Sequence, residues 1–228
     1  MTKKSASLVV VAAGNSSRMG SAGNKQFLLL EGQPILAHTL QAFDFLPEIS
    51  EIIVVTREED ILLVNDLVRD YDIRKVKAVI PGGTTRQESV VCGLHEVHEG
   101  RVLIHDGARP FVTEEEIYRV LDALDDYDAA IPGVPVKDTV KRVNSQGEVA
   151  ETLHREELIA VLTPQGFVTE RILAAHTRAK ADGVVVTDDA SVAEYAGIPV
   201  KLVPGTYQNI KITTPEDMVL AEAILGAR

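Results

Sequence analysis

The stretch Leu8-Val9-Val10-Val11-Ala12-Ala13-Gly14-Asn15-Ser16-Ser17-Arg18-Met19-Gly20 decides the fold and points to the chemistry. Its apolar half is typical of a buried strand. Its second half is a loop of small residues that continues to Lys25. Small side chains let an anion approach backbone N–H groups, and the cations Arg18 and Lys25 can reach its charge. A solvated surface loop has the same composition, and spacing alone leaves both interpretations open.

Two familiar phosphate-binding motifs do not fit this loop. A Walker loop needs Gly-Lys-Ser/Thr at its end, and here Gly20 is followed by Ser21. A dinucleotide fingerprint needs Gly-x-Gly-x-x-Gly, and here Gly14 is followed by Asn15 and Ser16. The sequence therefore supports neither a P-loop nucleoside triphosphatase nor a Rossmann dehydrogenase.

The composition is that of an ordinary globular protein. The chain has 228 residues, of which 45% are hydrophobic and 25% charged, which suits one large α/β domain or two small ones. The net charge of −11 argues against nucleic-acid or membrane binding, so an anionic substrate needs a local cationic site. Cys92 is the single cysteine, and the apolar runs are too short for a signal peptide or membrane span. We therefore expect a cytoplasmic protein.

Short apolar runs alternate with amphipathic segments through most of the chain. Runs rich in Val and Ile are typical of buried parallel strands, and the predicted strands are residues 7–13, 51–55, 77–80, 102–105 and 129–136. The predicted helices are residues 35–45, 58–69, 87–96 and 114–124, with a further helix starting at Thr214-Pro215. This alternation predicts an α/β fold with a doubly wound, mostly parallel, Rossmann-like sheet.

Three loops follow predicted strands and should meet at one edge of that sheet. They begin at Gly14, at Pro81-Gly82-Gly83 and at His105-Asp106-Gly107. Ligands of such sheets bind beyond the carboxyl ends of the strands, and the three loops therefore define a candidate site.

Residues 136–153 alternate around a Ser-Gln-Gly turn and predict a β-hairpin. An isolated hairpin is marginally stable in water, so a second subunit is a natural packing surface. We expect one domain, residues 1–228, with a projecting arm at about residues 136–155.

Several polar residues could carry chemistry at these loops. Gly82 and Gly83 let a ligand approach the backbone, and Ser89 could help to read a base edge, although Thr85 and Glu88 could equally cap the following helix. Asp106 is expected either to bind Mg²⁺ or a substrate hydroxyl, or to be a turn aspartate that hydrogen-bonds to its own backbone.

Later polar residues have competing interpretations. Arg109 is either a phosphate ligand or a partner of Asp106. Thr139 and Arg155 flank the hairpin, while Thr163 and Thr187 end apolar runs. Thr187 alone is most simply a helix N-cap. Lys211 alternates with two isoleucines, a pattern more often found for a solvated lysine.

Taken together, seven motifs resemble the 2-C-methyl-D-erythritol 4-phosphate cytidylyltransferases of the non-mevalonate isoprenoid pathway. The resemblance covers residues 7 to 225. The motifs are Ala12-Ala13-Gly14 through Arg18-Met19-Gly20 to Lys25-Gln26-Phe27, Gly82-Gly83-Thr84-Thr85-Arg86, His105-Asp106-Gly107-Ala108-Arg109-Pro110, Val136-Lys137-Asp138-Thr139, Thr163-Pro164-Gln165, Thr187-Asp188-Asp189-Ala190 and Asn209-Ile210-Lys211.

The resemblance implies cytidylyl transfer from CTP to a sugar-alcohol phosphate, with Mg²⁺ on the triphosphate and Asp106 close to the metal. It implies that Arg18 and Lys25 stabilise the α-phosphate and that Arg155 and Lys211 hold the acceptor phosphate. Secondary acceptor contacts would be Thr139, Arg109, Thr163 and Thr187. The implied nucleotide-binding residues are Ala12, Ala13, Gly14, Gly82, Gly83, Thr84 and Ser89. The resemblance also implies a homodimer in which the arm completes the neighbour's site, and it makes the six histidines structural.

The chain departs from the family pattern at the base pocket, where Thr84 replaces a frequent acidic residue. Asn24 and Val11 each stand where proline is frequent. The alternatives are a ribitol-5-phosphate cytidylyltransferase, a sugar-1-phosphate nucleotidylyltransferase and a silent nucleotide-binding domain. The Thr139 to Arg155 arm favours the methylerythritol enzyme over its ribitol counterpart. The intact Arg18, Lys25 and Lys211 argue against a silent domain.

Overall fold

A computed structural model of the protein describes residues 5–14 and 25–227, and Arg18 and Asn24 lie outside the described residues. The strands are β1 (Ala6–Val11), β2 (Leu29–Leu30), β3 (Gln33–Pro34), β4 (Ile49–Thr56), β5 (Val76–Pro81), β6 (Arg101–Asp106), β7 (Ala129–Pro135), β8 (Lys141–Val143), β9 (Val149–Thr152), β10 (Ile159–Val161), β11 (Gln165–Val168) and β12 (Val200–Pro204). The helices are α1 (Ile35–Asp44), α2 (Ile61–Asp70), α3 (Arg86–His95), α4 (Glu114–Ala123), α5 (Thr169–Ala181), α6 (Asp189–Tyr195) and α7 (Pro215–Gly226).

The central sheet is mixed and largely parallel, which confirms the predicted α/β class. Its order is β10-β7-β11-β6-β1-β4-β5, and β12 pairs with β7. The pairs β6–β1, β1–β4, β4–β5 and β7–β12 are parallel. The short strands β10 and β11 run antiparallel to their neighbours. Neither of these two strands was predicted, nor were β12 and α5.

Helices cover both faces of the sheet because consecutive side chains of a strand point to opposite faces. On β1, Leu8 and Val10 pack with α1, α2 and α4, where Leu40 and Phe43 are fully buried. Val9 packs on the other face with α3, α5 and α6. This arrangement leaves the carboxyl ends of β1, β5 and β6 open between the two helical layers.

The predicted helix starts are present, with small differences. Thr113 and Glu116 form a capping box at α4. Thr214 and Asp217 form another at α7, where Pro215 takes the first helical position. Residues 58–60, predicted as the start of a helix, form a separate 3-10 turn before α2.

The predicted arm is a two-stranded hairpin of β8 and β9, and every residue of both strands is exposed. Asn144 Oδ1 accepts hydrogen bonds from the N–H groups of Gln146 and Glu148 and so closes the turn. Gly147 has a φ of 82°, a conformation that favours glycine. Among the described residues, no helix is long and apolar enough to cross a membrane.

Candidate active site

Two neighbouring cavities open at the carboxyl edge of the sheet. The first, of about 300 Å³, lies among the loops that follow β1, β5 and β6. The second, of about 410 Å³, lies towards β11 and α6. Arg86, Asp106 and Lys211 line both cavities and form the wall between them. The three predicted loops therefore converge as expected.

Asp106 is the centre of this wall and is surrounded by cations. Its Oδ2 lies 3.0 Å from Lys211 Nζ and 3.3 Å from Arg109 Nε, and its Oδ1 lies 3.7 Å from Arg86 Nε. Burial alone would raise the pKa of Asp106. Lys211 first, and then Arg86 and Arg109, hold it well below its usual range. Asp106 is therefore ionised at neutral pH and keeps three cations at the edge of a net-negative protein.

These contacts settle the competing structural interpretations of Arg109 and Lys211. Arg109 is a partner of Asp106, and it also donates to the carbonyl of Asn209 at 2.8 Å. Lys211 is half-buried in an ion pair, so the expectation of a solvated lysine was wrong. The sequence pattern placed Lys211 correctly away from its isoleucine neighbours but carried no sign of Asp106 as its partner.

His105 is fully buried beside Asp106 and has a structural role. Its Nε2 lies 3.0 Å from the Arg109 carbonyl, and its Nδ1 lies 2.9 Å from the Thr163 hydroxyl. A carbonyl only accepts, so Nε2 carries the proton and Nδ1 accepts from Thr163. Burial lowers the pKa of His105 to about 4, so the ring is neutral at physiological pH. Its bonds tie the β6 loop to the segment before β11.

Arg86 lines both cavities, and the sequence assigned no role to it. It donates to Asp189 Oδ2 at 2.8 Å, and the Asp189 carboxylate is buried. Burial alone would raise the pKa of Asp189, but the charge of Arg86 keeps it below its usual value. His176 Nε2 lies 3.3 Å from the other carboxylate oxygen. The buried amide of Gln165 also accepts from the Asp189 N–H. The wall between the cavities is thus anchored from β11, α5 and α6.

The first cavity contains most of the predicted nucleotide-binding residues. Its lining includes Ala13, Gly14, Gly83, Thr84 and Ser89, together with the predicted catalytic residue Lys25. Ala12 is buried behind it, where its N–H donates to the Val55 carbonyl. Gly82 packs beside the lining, and a Cβ there would lie 2.6 Å from Ser89 Oγ and 2.9 Å from Ala13 Cβ. The loop after β5 therefore needs glycine to close against α3.

The start of α3 differs from the predicted capping box. Thr85 caps the helix, because its hydroxyl accepts from the Glu88 N–H. The Glu88 carboxylate, however, bonds mainly to the N–H and hydroxyl of Thr84, with a weaker contribution from the Thr85 N–H. Thr84, which lines the candidate nucleotide cavity, thereby has a charged partner just outside that lining.

The second cavity contains the predicted acceptor residues Arg109, Thr163 and Thr187 in addition to Lys211. The expectation that Thr187 caps a helix was wrong. Asp188 is the cap of α6, because its carboxylate accepts from the N–H of Ser191. Thr187 instead remains exposed at the cavity.

Thr139 and Arg155 lie away from this edge and line neither cavity in the described chain. Both side chains are exposed. Arg155 donates to the carbonyl of Lys137 at 2.9 Å and lies 3.7 Å from Glu156. Within one chain, the arm therefore does not contribute these residues to the sheet edge.

The residues present suit a magnesium ion held mainly by a nucleotide. In the parts of the chain that the structure describes, no three His, Cys, Asp or Glu side chains form a metal cluster. Mg²⁺ is commonly bound through one or two carboxylates together with substrate phosphates and water. Asp106 provides one carboxylate, and its Oδ1 faces Arg86 at a longer distance than Oδ2 faces its two cations.

The sheet edge, with two adjoining cavities that share a cationic wall, defines an α/β nucleotidyltransferase. Residues 6–227 match the family IspD, 2-C-methyl-D-erythritol 4-phosphate cytidylyltransferase. The chain belongs to this family.

Individual relatives agree with the family match. The 2-C-methyl-D-erythritol 4-phosphate cytidylyltransferase of Halalkalibacterium halodurans is 47% identical over 223 residues, covering 97% of both chains. The enzyme of the same name from Desulforamulus reducens is 48% identical and covers 96% of this chain and 95% of its own.

Solved structures agree as well. The 4-diphosphocytidyl-2C-methyl-D-erythritol synthase of Anaerococcus prevotii superposes with a TM-score of 0.86 at 35% identity, covering 98% of this chain and 97% of the other. The 2-C-methyl-D-erythritol 4-phosphate cytidylyltransferase of Thermus thermophilus gives a TM-score of 0.80 at 35% identity, covering 96% and 98%.

Proposed function

We infer that the chain transfers a cytidylyl group from CTP to 2-C-methyl-D-erythritol 4-phosphate and releases pyrophosphate. The observation that carries this inference is the division of the sheet edge into two cavities with one shared wall of Arg86, Asp106 and Lys211. A transferase of this kind needs a donor site and an acceptor site that meet at the transferred phosphorus. The family membership identifies the two substrates.

The reaction needs positioning and charge stabilisation more than acid–base chemistry. An oxygen of the acceptor phosphate attacks the α-phosphorus of CTP in line, and the bond to the pyrophosphate group breaks. A phosphate dianion is already a nucleophile near neutral pH, so no general base is needed. His105 is neutral and fully hydrogen-bonded, which agrees with a structural role.

Lys25 and Arg18 are the proposed catalytic residues. Negative charge grows on the α-phosphate oxygens in the transition state, and cations at that point accelerate transfer. Lys25 lines the first cavity beside Gly14 and Gly83. Arg18 is assigned to the same role by its place in the family motif.

The proposed acceptor site combines one chain's second cavity with the arm of a second copy. Lys211, Thr163 and Thr187 line that cavity, and Arg109 contributes through its ion pair with Asp106. Arg155 and Thr139 would come from the partner's arm in a homodimer. The exposed surface of β8 and β9 supports this assignment, because such a hairpin needs a packing surface.

Mg²⁺ is the proposed cofactor, held through Asp106. When bound, the ion would neutralise triphosphate charge during transfer. A cytoplasmic location is also part of the proposal, since a chain with a single cysteine suits a reducing compartment.

The test is a pyrophosphate-release assay with CTP, Mg²⁺ and either 2-C-methyl-D-erythritol 4-phosphate or ribitol 5-phosphate. We expect turnover with the methylerythritol substrate and a diphosphocytidyl product by mass spectrometry. The Lys25→Ala protein, prepared in the same way, controls for contaminating activity. Turnover with ribitol 5-phosphate alone would overturn the proposed acceptor, and use of neither acceptor would overturn the reaction.

A further inference from the structure

The first cavity has a charged end and a hydroxyl-rich end. Lys25 lies in its lining with Arg86 and Lys211, which both face Asp106, whereas Thr84, Thr85 and Ser89 lie in the lining that follows β5. The carboxylate of Glu88 stands against Thr84 at that second end. A carboxylate repels phosphate, while the lysines attract it. Under the proposed function, the triphosphate therefore lies towards the lysines and the base towards Thr84.

The hydroxyl proton of Thr84 is committed to Glu88. Thr84 Oγ1 donates to Glu88 Oε2 at 2.6 Å, and the Thr84 N–H donates to the same oxygen at 2.9 Å. A carboxylate only accepts, so the direction of the hydroxyl bond is fixed. These two bonds from Thr84 lower the pKa of Glu88, which stays ionised at neutral pH. The Thr84 hydroxyl thus has only lone pairs to offer a ligand.

The Ser89 hydroxyl and the N–H groups of Gly82 and Gly83 also donate their hydrogens to partners within the protein. Ser89 Oγ donates to the Thr85 carbonyl at 2.9 Å and accepts from the Gly83 N–H. The Gly82 N–H donates to the Thr56 carbonyl. The Thr84 and Ser89 hydroxyls therefore face a ligand as acceptors, while the third hydroxyl of this lining, on Thr85, accepts from the Glu88 N–H at the start of α3. The N–H groups of residues 82–84 are already used.

We propose that Glu88 determines base selection by holding the Thr84 hydroxyl as a hydrogen-bond acceptor for the exocyclic amino group of cytosine. Uracil has a carbonyl at the same position, and two acceptors facing one another leave both without a hydrogen bond. Glu88 acts through Thr84 and is a positioning residue, while Thr84 contacts the base. This inference rests on the proposed use of CTP and adds the physical basis for rejecting UTP.

Substitutions can distinguish the effect of the fixed Thr84 hydroxyl proton from the effect of the negative charge on Glu88. Glu88→Ala removes the acceptor, so the Thr84 hydroxyl can turn and donate to uracil. Glu88→Gln keeps a carbonyl oxygen that accepts from Thr84 but removes the charge. Thr84→Val removes the hydroxyl, whereas Thr84→Ser keeps it. Lys180→Ala is the matched control, because Lys180 Nζ lies 3.9 Å from Glu88 Oε1 and this change removes the ion pair alone.

The experiment measures the CTP-to-UTP ratio of kcat/KM and, without acceptor, the ratio of the two binding constants by calorimetry. We expect Glu88→Ala and Thr84→Val each to lower both ratios about tenfold, the scale of one hydrogen bond. The double variant should lose little more than either single variant, because both changes break one interaction. Glu88→Gln, Thr84→Ser and Lys180→Ala should keep the wild-type ratios. Thermal melting of each variant checks its folding.

An unchanged ratio in Glu88→Ala would overturn the inference, as would a loss in Glu88→Gln equal to that in Glu88→Ala. A wild-type protein that binds CTP and UTP equally would also overturn it. A protein that keeps Glu88-dependent CTP binding but does not use the methylerythritol acceptor would instead overturn the proposed reaction alone.

Discussion

The edge of the central sheet and the β8–β9 arm hold their arginines in opposite ways. At the edge, Asp106 keeps Arg86 and Arg109 in ion pairs of 3.7 and 3.3 Å, and its own side chain is only 10% exposed. On the arm, Arg155 is half-exposed and donates to a backbone carbonyl. The edge is organised within one chain. The arm has no comparable burial among the described residues and needs another surface to hold its side chains in place.

The largest effect is expected at the edge, from Lys25→Ala. We predict that kcat falls about 10³-fold while KM for CTP changes little, because the lost charge acts mainly in the transition state. Steady-state kinetics with varied CTP measures both constants. A loss that fell equally on ground-state CTP binding, measured by calorimetry, would contradict the catalytic assignment.

Arg155→Ala tests the arm and should be next in size. We predict a loss of about 10²-fold in kcat/KM for the acceptor, since a phosphate would lose a charge-assisted partner. The constants for CTP should stay near wild type. Arg142→Ala is the matched control, because Arg142 is an exposed arm arginine paired with Glu151. If the two variants behaved alike, Arg155 would have no special role.

The sequence predicted the edge far better than it predicted the wall within it. Long Val-rich strands such as β1 and the capped helices α4 and α7 have strong local patterns, and the structure contains them. The loops after β1, β5 and β6 met as expected, because parallel strands end at one edge. The short strands β10 and β11 have only three and four residues, too few for a clear period.

The partners of Arg86 were missed because they depend on tertiary contacts. Asp189 lies far from Arg86 in the sequence and meets it only when α6 is in place, and Gln165 of β11 in turn holds the Asp189 N–H. The helix α5 did carry a usable signal, since Ile172, Ala175 and Ala179 are buried at helical spacing. Its buried His176 breaks the apolar pattern, which weakened that signal.

A third prediction concerns how the free energy of unfolding depends on pH through the buried His105 at the sheet edge. Burial lowers the pKa of His105 to about 4 in the folded protein, while its unfolded value is near 6.5. Between these values the unfolded chain binds a proton that the folded protein does not, so the free energy of unfolding falls as pH falls. We predict that wild type loses about 2 kcal/mol more than His105→Gln between pH 7 and pH 5.

Urea unfolding at the two pH values measures this difference. His95→Gln is the control, because His95 is exposed and its loss should leave the wild-type pH dependence in place. Equal acid sensitivity in wild type and His105→Gln would show that the buried ring does not control stability at the edge.

The smallest effect is expected at the turn of the arm. Gly147 has a φ of 82°, and a side chain there costs about 1 kcal/mol. We predict that Gly147→Ala raises KM for the acceptor several-fold and leaves KM for CTP unchanged. Gly100→Ala is the control, since a Cβ at Gly100 meets open space. If Gly147→Ala and Gly100→Ala had equal effects, the conformation of the arm's turn would have no specific influence on acceptor binding.

The most direct test mixes Lys25→Ala and Arg155→Ala subunits after each has been purified and dissociated. If each site combines the edge of one chain with the arm of another, a mixed dimer has one site in which both residues are intact. Random pairing at equal amounts then restores about one quarter of the wild-type activity. No recovery, from a mixture in which mass spectrometry confirms mixed dimers, would contradict the shared site and place Arg155 with Lys25 of its own chain.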